Sequence, residues 1–243
     1  MPFTLAHAAI AYPLKKIDRR LSVSGLIAGA IIPDFEYFIR MRHISSGHQL
    51  NERLLLDVLA AVLLCFIFHG LIKKPLYDNL PEKYTRFIIP AMQLNWNRHT
   101  ARQGGLILVS VILGIFSHLL WDSFTHKGGL MTELISPLRY TVTINAIQFP
   151  VYFILQLLSS IAGLWILYRM IPAPATVTTI RPNLHKNSFY WPGLILVSVC
   201  LFLLRYFYWA ADNSYLSLLK ALIGSFLYSW IIISLLCRLT VKK

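Results

Sequence analysis

Charge is scarce in this chain, and acid is scarcer still. Only 14% of its 243 residues are charged, where a soluble domain carries about 25%. Just ten residues are aspartate or glutamate. Hydrophobic residues make up 56%, and the mean hydropathy is +0.59. A single water-soluble core of this length cannot hide so much apolar surface, so the composition excludes a soluble fold. Cysteine is nearly missing. Cys65, Cys200 and Cys237 lie far apart in apolar runs with no CxxC pair; they read as small interior residues and say nothing of redox compartment. No signal peptide is expected either, because Lys15, Lys16, Arg19 and Arg20 come too late and no apolar run follows a basic start in Met1–Leu21. The chain shows no internal repeat and no heptad pattern.

Long apolar runs are what it has instead. Five of them, roughly Leu54–Ile72, Gly104–Phe124, Ala146–Ile171, Tyr190–Ala211 and Tyr215–Cys237, approach or exceed the ~20 residues needed to cross a bilayer core. Leu21–Ile39 is less apolar, rich in small residues and interrupted by Pro33, Asp34 and Glu36, so a re-entrant or core-facing helix is expected there. Phe87–Trp96 is too short to span and contains Pro90, which fits an interfacial helix. Four prolines in 172–192 mark a linker. Tyr190, Trp191, Trp209 and Tyr215 stand at span ends, where amphipathic rings prefer the headgroup level. The expected fold is all-α, a polytopic membrane bundle of about five transmembrane helices plus the N-terminal helix. Residues 1–243 form one integral membrane domain, with the motifs in 1–145 and a hydrophobic helical half in 146–243.

The net charge of +13 and isoelectric point near 9.9 would indicate nucleic acid in a soluble domain. Here the basic residues cluster between hydrophobic segments, as in Lys73, Lys74, Lys83, Arg86, Arg98 and Arg102. Membrane lipid headgroups are therefore the expected partner, and nucleic acid is not. Beyond residue 103 the Lys/Arg bias places the C-terminus in the cytoplasm, whereas the seven basic residues from Lys15 to Arg53 favour the opposite orientation.

Ionisable groups at bilayer depth cost on the order of 2.5–3.5 kcal/mol each, so function is their default explanation. The densest set is Ser117-His118-Leu119-Leu120-Trp121-Asp122-Ser123-Phe124-Thr125-His126. His118, Asp122 and His126 recur every four residues and share one helix face. Imidazole and carboxylate one turn apart can grip a cation, and that donor pair suits zinc, manganese or iron better than calcium. On spacing alone, a metal site and a hydrogen-bonded pair gluing two helices stand level. Further candidates are His7, Asp34 and His48. Pro33 is expected to break the preceding helix and leave the Asp34 carboxylate at a helix start or bend. His69, beside Lys73, is expected to reach towards the interface.

The opening Met1-Pro2-Phe3-Thr4-Leu5-Ala6-His7, the run Pro33-Asp34-Phe35-Glu36-Tyr37-Phe38, the phrase Phe68-His69 with Lys73-Lys74-Pro75-Leu76, and the His118–His126 block together resemble the bacterial DUF4184 family. That family is more distantly similar to the YdjM-like membrane-bound metal-dependent hydrolases of the inner membrane. Through them it resembles the zinc-dependent phospholipase C and P1 nuclease superfamily. The resemblance implies, in order, His7, Asp34, His48, His118, Asp122 and His126 as ligands of a zinc site for phosphoester cleavage. The chain departs from that pattern in three ways. His48 stands in Gly47-His48-Gln49 where a Thr-His-Ser or Ser-His-Ser context is usual, no later His-xxx-Asp or His-xxx-Glu pair follows His126, and the amino-terminal tryptophan ligand is absent. One or two ions are therefore implied, not three.

The expected function is hydrolysis of a phosphoester, a lipid or lipid-linked phosphate among the candidates, in the bacterial cytoplasmic membrane. Asp34 and Asp122 are the candidate catalytic carboxylates, and Arg40 and Arg42 the candidate phosphate holders. The alternative is a non-enzymatic membrane protein, in transport or assembly, whose polar cluster or structural metal ties helices together.

Overall fold

The computed structural model describes residues 3–42, 50–81, 84–85, 92–171, 187–209 and 214–241. A 3-10 segment, Thr4–Ile10, leads into α1 (Ala11–Ile17), and α2 covers Val23–Ile39. α3 (Leu50–Ile67) runs through a π-helical turn, Phe68–Ile72, into α4 (Lys73–Asn79). Then come α5 (Trp96–Thr125), α6 (Leu130–Leu134), the strands β1 (Thr141–Ile144) and β2 (Ile147–Pro150), α7 (Val151–Met170), α8 (Tyr190–Tyr208) and α9 (Tyr215–Val241). Among the described residues, five helical stretches are long and apolar enough to cross a membrane: Arg53–Asn79, Trp96–Leu134, Val151–Met170, Tyr190–Tyr208 and Tyr215–Thr240. The protein is an all-α membrane protein, as its composition requires.

Several boundaries differ from expectation for local reasons. Residues 146–150 belong to a hairpin, not to a span. Asn145 and Ala146 adopt φ of 48° and 66°, the paired positive values of a two-residue hairpin turn, and register Thr141 against Pro150. The first span extends past Ile72 to Asn79. His69 is therefore internal, buried and stacked on Trp96 at 4.2 Å instead of reaching outward. Trp96 itself starts α5, while 87–91 of the expected interfacial helix lie outside the described residues. Pro33 lies inside a continuous α2. It removes one backbone donor and crowds the carbonyl four residues back, a loss that helices with packed neighbours absorb. Tyr190, the first residue of its span, is fully buried against protein, and its hydroxyl accepts the Trp230 indole N–H at 2.9 Å.

The chain divides into two compact units. The first comprises Met1–Pro33, Leu50–Val62 and Gln103–Ile171. Lipid is as apolar as leucine, so helices in a bilayer adhere by close packing of small residues rather than by hydrophobic expulsion from water. α2 supplies Gly25 and Gly29, and α5 supplies Ile107, Val111 and Gly114 from one face. The backbones come so close that a methyl on Gly114 would lie 2.5 Å from the Leu26 oxygen and 2.7 Å from the Ala30 nitrogen. Polar groups close the start of the seam. The Ser22 hydroxyl caps α2 at the Gly25 N–H (3.2 Å), and the Ser22 N–H donates to Ser110 Oγ at 2.8 Å. The 3-10 segment lies on α7 by the same means. A methyl on Gly163 would meet Ala6 at 2.8 Å, and the Phe3 N–H reaches Ser160 Oγ at 3.1 Å.

The second unit comprises Asp34–Gln49, Leu63–Arg102 and Pro172–Lys243. Its α8 and α9 pack through Tyr190, Leu194, Ile233 and Cys237, with Ser229 Oγ donating to the Leu194 carbonyl at 2.6 Å. α2 ends here: the N–H groups of Arg40, Arg42 and Met41 take the carbonyls of Glu36, Tyr37 and Phe38, and side chains take those of Ile39 and Met41. Arg205 Nε supplies Met41 O at 2.8 Å and the Tyr228 hydroxyl supplies Ile39 O at 3.1 Å. A cation also suits the negative end of the helix dipole. One turn back, Lys220 is buried with its ammonium 3.7 Å above the Tyr37 ring, and the buried Asp34 carboxylate acts on its charge.

Two outcomes follow from this packing. Gly114→Ala should lower stability by about 1–3 kcal/mol through overpacking, read as a drop in Tm in detergent, whereas Gly104→Ala, with open space at its Cβ, should not. Asp34→Asn should destabilise by about 3–5 kcal/mol by leaving the Lys220 charge uncompensated. Asp34→Asn combined with Lys220→Met should recover most of that loss in the same melt.

Candidate metal centre

The α2–α5 seam leads to His118. Residues 107, 111, 114 and 118 lie on one helix face, and after Gly114 meets Ala30 the next turn brings the His118 ring against the same residue. His118 Nδ1 sits 2.7 Å from the Ala30 carbonyl oxygen. A carbonyl only accepts, so Nδ1 carries the hydrogen and Nε2 is directed towards Asp122 Oδ2, 3.2 Å away. One helical turn separates the two side chains, which is why they meet. From the other side, His7 of the 3-10 segment brings Nε2 within 3.4 Å of Asp122 Oδ1. The two imidazoles stack with centroids 3.9 Å apart. His118 is fully buried, and His7 nearly so. Burial, reinforced by His118 beside it, pushes His7 down to about 3, so the ring is neutral at physiological pH and keeps a lone pair.

One ligand atom from each of His7, His118 and Asp122 lies within 4.8 Å of the other two. Each imidazole nitrogen stands 3.2 or 3.4 Å from an Asp122 oxygen, a different oxygen in each case. Two ligands at ~2.0–2.1 Å from a tetrahedral ion are ~3.3–3.4 Å apart, so either pair could bracket a cation, and the shorter contact is also within hydrogen-bond reach. His7 Nε2 and Asp122 Oδ1 are buried and make no hydrogen bond among the described residues. A proton on His118 would satisfy Oδ2 alone and leave those two atoms as they are. Two imidazoles and one carboxylate, with His118 oriented by a backbone carbonyl, form a donor set that could hold a divalent cation such as zinc.

A family model described as a domain of unknown function (DUF4184) matches residues 1–240. The chain belongs to the DUF4184 family. Membership extends through the second half, where the resemblance had only hydrophobic spans to rest on. No curated protein and no solved structure matches the chain.

No other described residue completes that cluster. His126 lies just past the end of α5, with Nδ1 3.4 Å from Asp122 Oδ1 and its side chain one-third exposed. It borders the triad without joining it. Asp34, Arg40 and Arg42 belong to the second unit. Asp34 there has Lys220 as its cation, and Arg40 ion-pairs with Glu36 at 2.8 Å. His48 lies outside the described residues.

Other groups build the site without any sequence signal of their own. The Ala30 carbonyl is backbone, and Gly163 only makes room for Ala6. Thr132, almost fully buried, sets its hydroxyl 2.8 Å from the His126 carbonyl and 2.7 Å from that of Gly129, closing the turn after α5. Thr132→Val keeps the shape and removes the donor. It should cost about 1–3 kcal/mol in a thermal melt, and amide exchange at 126–129 should accelerate while exchange at 110–118 stays unchanged.

Proposed function

We propose that this protein is a membrane-bound, metal-dependent hydrolase of a phosphoester in the bacterial cytoplasmic membrane, with a divalent cation, zinc first, held by His7, His118 and Asp122. The observation that supports this reading most is the 3.2–3.4 Å stand-off between the Asp122 oxygens and the two imidazole nitrogens. A divalent cation bound there would supply a water of near-neutral pKa and stabilise charge on phosphoryl oxygens. The chain's own groups do the rest. The Ala30 carbonyl holds the His118 tautomer. Neutral His7 adds no charge that would oppose the cation. Asp122 Oδ1 can take a proton, and His126 Nδ1, 3.4 Å away on a partly exposed ring, can carry it outward. The order of His7, His118, Asp122 and His126 along the chain is similar to that in the zinc-dependent phospholipase C and P1 nuclease superfamily, which favours phosphoesters.

A structural clasp is the second reading, and one observation favours it: the donors join the amino-terminal segment to α5, so a cation there would also tie those two elements. Metal analysis and activity separate the two. Purified protein should carry roughly one zinc per chain and hydrolyse an aryl phosphodiester in detergent. His118→Ala and Asp122→Ala should lose both metal and turnover with Tm held. Bound metal without turnover, and variants that melt early, would leave the clasp alone. Protein free of zinc, manganese and iron would remove both readings.

A further inference from the structure

We propose that a cavity on the flank of His7 seats one long hydrocarbon chain, so that the ligand of this site is an amphiphile with its chain in the cavity and its phosphate at the triad. The phosphate half rests on the hydrolase reading above; the chain half does not.

The cavity measures about 420 Å³ and lies within the first unit, walled by the 3-10 segment, the start of α1, α5 and α7. That volume is in the range of small-molecule sites, about 300–1,000 Å³. Its wall includes Ile10, Leu155, Ala162 and Ile166. Two serines also line it, yet neither offers a donor to a ligand. Ser117 Oγ donates to its own helix at Gly114 O (2.7 Å), and Ser159 Oγ to Gln156 O (3.0 Å). His7 is the one titratable side chain in the wall. An ordered water needs two to four polar partners, and this wall does not supply them. Hydrocarbon needs none.

The position of the mouth points the same way. Leu158 and Trp121 line the cavity and are 60% and 40% exposed, each on a helix long enough to cross a bilayer. With both helices crossing a bilayer, that mouth would open towards lipid chain and not towards bulk water. His7 is common to the cavity and to the triad, presenting its flank to one and Nε2 to the other. A chain entering past Leu158 therefore runs up to the polar centre, where an attached anionic head would find the candidate cation. The geometry selects a ligand that is greasy at one end and anionic at the other.

The probe is a hexadecyl phosphate bearing a diazirine midway along its chain, photolysed with the full-length protein in detergent and mapped by mass spectrometry. Crosslinks should concentrate in 155–166 of α7. Ala162→Phe, which fills the cavity, should abolish them, while Leu157→Phe, exposed and outside the cavity, should leave them intact. Leu158→Trp narrows the mouth from an exposed position and replaces Ala162→Phe should that variant not fold. The label should persist in His118→Ala, so a failure of the hydrolase reading would not erase it. Unlabelled alkyl phosphate and polyprenyl phosphate, run as separate competitors, identify the chain type by which displaces the label. Crosslinks spread evenly over lipid-facing helices, or unchanged by Ala162→Phe and Leu158→Trp, would overturn the chain site. An alkanol competing as well as either phosphate would overturn its link to the triad.

Discussion

The 2.7 Å hydrogen bond from His118 to the Ala30 carbonyl depends on two helix backbones lying almost in contact. An imidazole is too short to reach a carbonyl on a helix at ordinary separation, so the glycines at 25, 29 and 114 and the serine at 110 are part of the site although none of them faces it. In hydrocarbon the bond has no water to compete with it, and the carbonyl it occupies already serves its own helix. Fixing Nδ1 in this way leaves the other nitrogen one direction to face. The position of Asp122, one turn further on, supplies what it faces. The order of causes therefore runs from small residues, to close backbones, to a fixed tautomer, to a set of converging donors.

The two units meet the same requirement by different chemistry. In the first, the polar groups converge on three atoms that could hold a cation. In the second, the buried charges meet groups of their own: Lys220 the Tyr37 ring and the Asp34 carboxylate, Arg205 the Met41 carbonyl just past α2. Both arrangements satisfy ionisable groups where solvation is unavailable, but only the first leaves lone pairs pointing at a common centre.

How much of this was legible beforehand depends on the length scale of each signal. Spans were legible because the bilayer demands runs of a fixed length, and the i, i+4 relation of His118 and Asp122 was legible because a helix of any origin imposes it. Signals that depend on a partner were not. Nothing in Ile147-Gln148-Phe149-Pro150 distinguishes a strand from the start of a span until Asn145 and Ala146 turn the chain back. The stop after Thr125 follows from Gly128, with φ +74°, and from Thr132, neither of which alters hydropathy. His7 entered through order along the chain and family resemblance, because no spacing rule links a residue at position 7 to one at 122. Pro33 shows the opposite error, a strong local rule overruled by packing.

The amino-terminal segment is held by Ser160, 157 positions downstream, and by the room that Gly163 leaves for Ala6. During synthesis His7 leaves the ribosome long before Ser160 and Gly163, which form the surface its segment will rest on. The centre is therefore completed late in biogenesis, when the ends of a very long loop are closed at a cost that grows only slowly with its length. Until then the segment has no α7 to rest on, which gives its small alanines a purpose in assembly as well as in the finished fold.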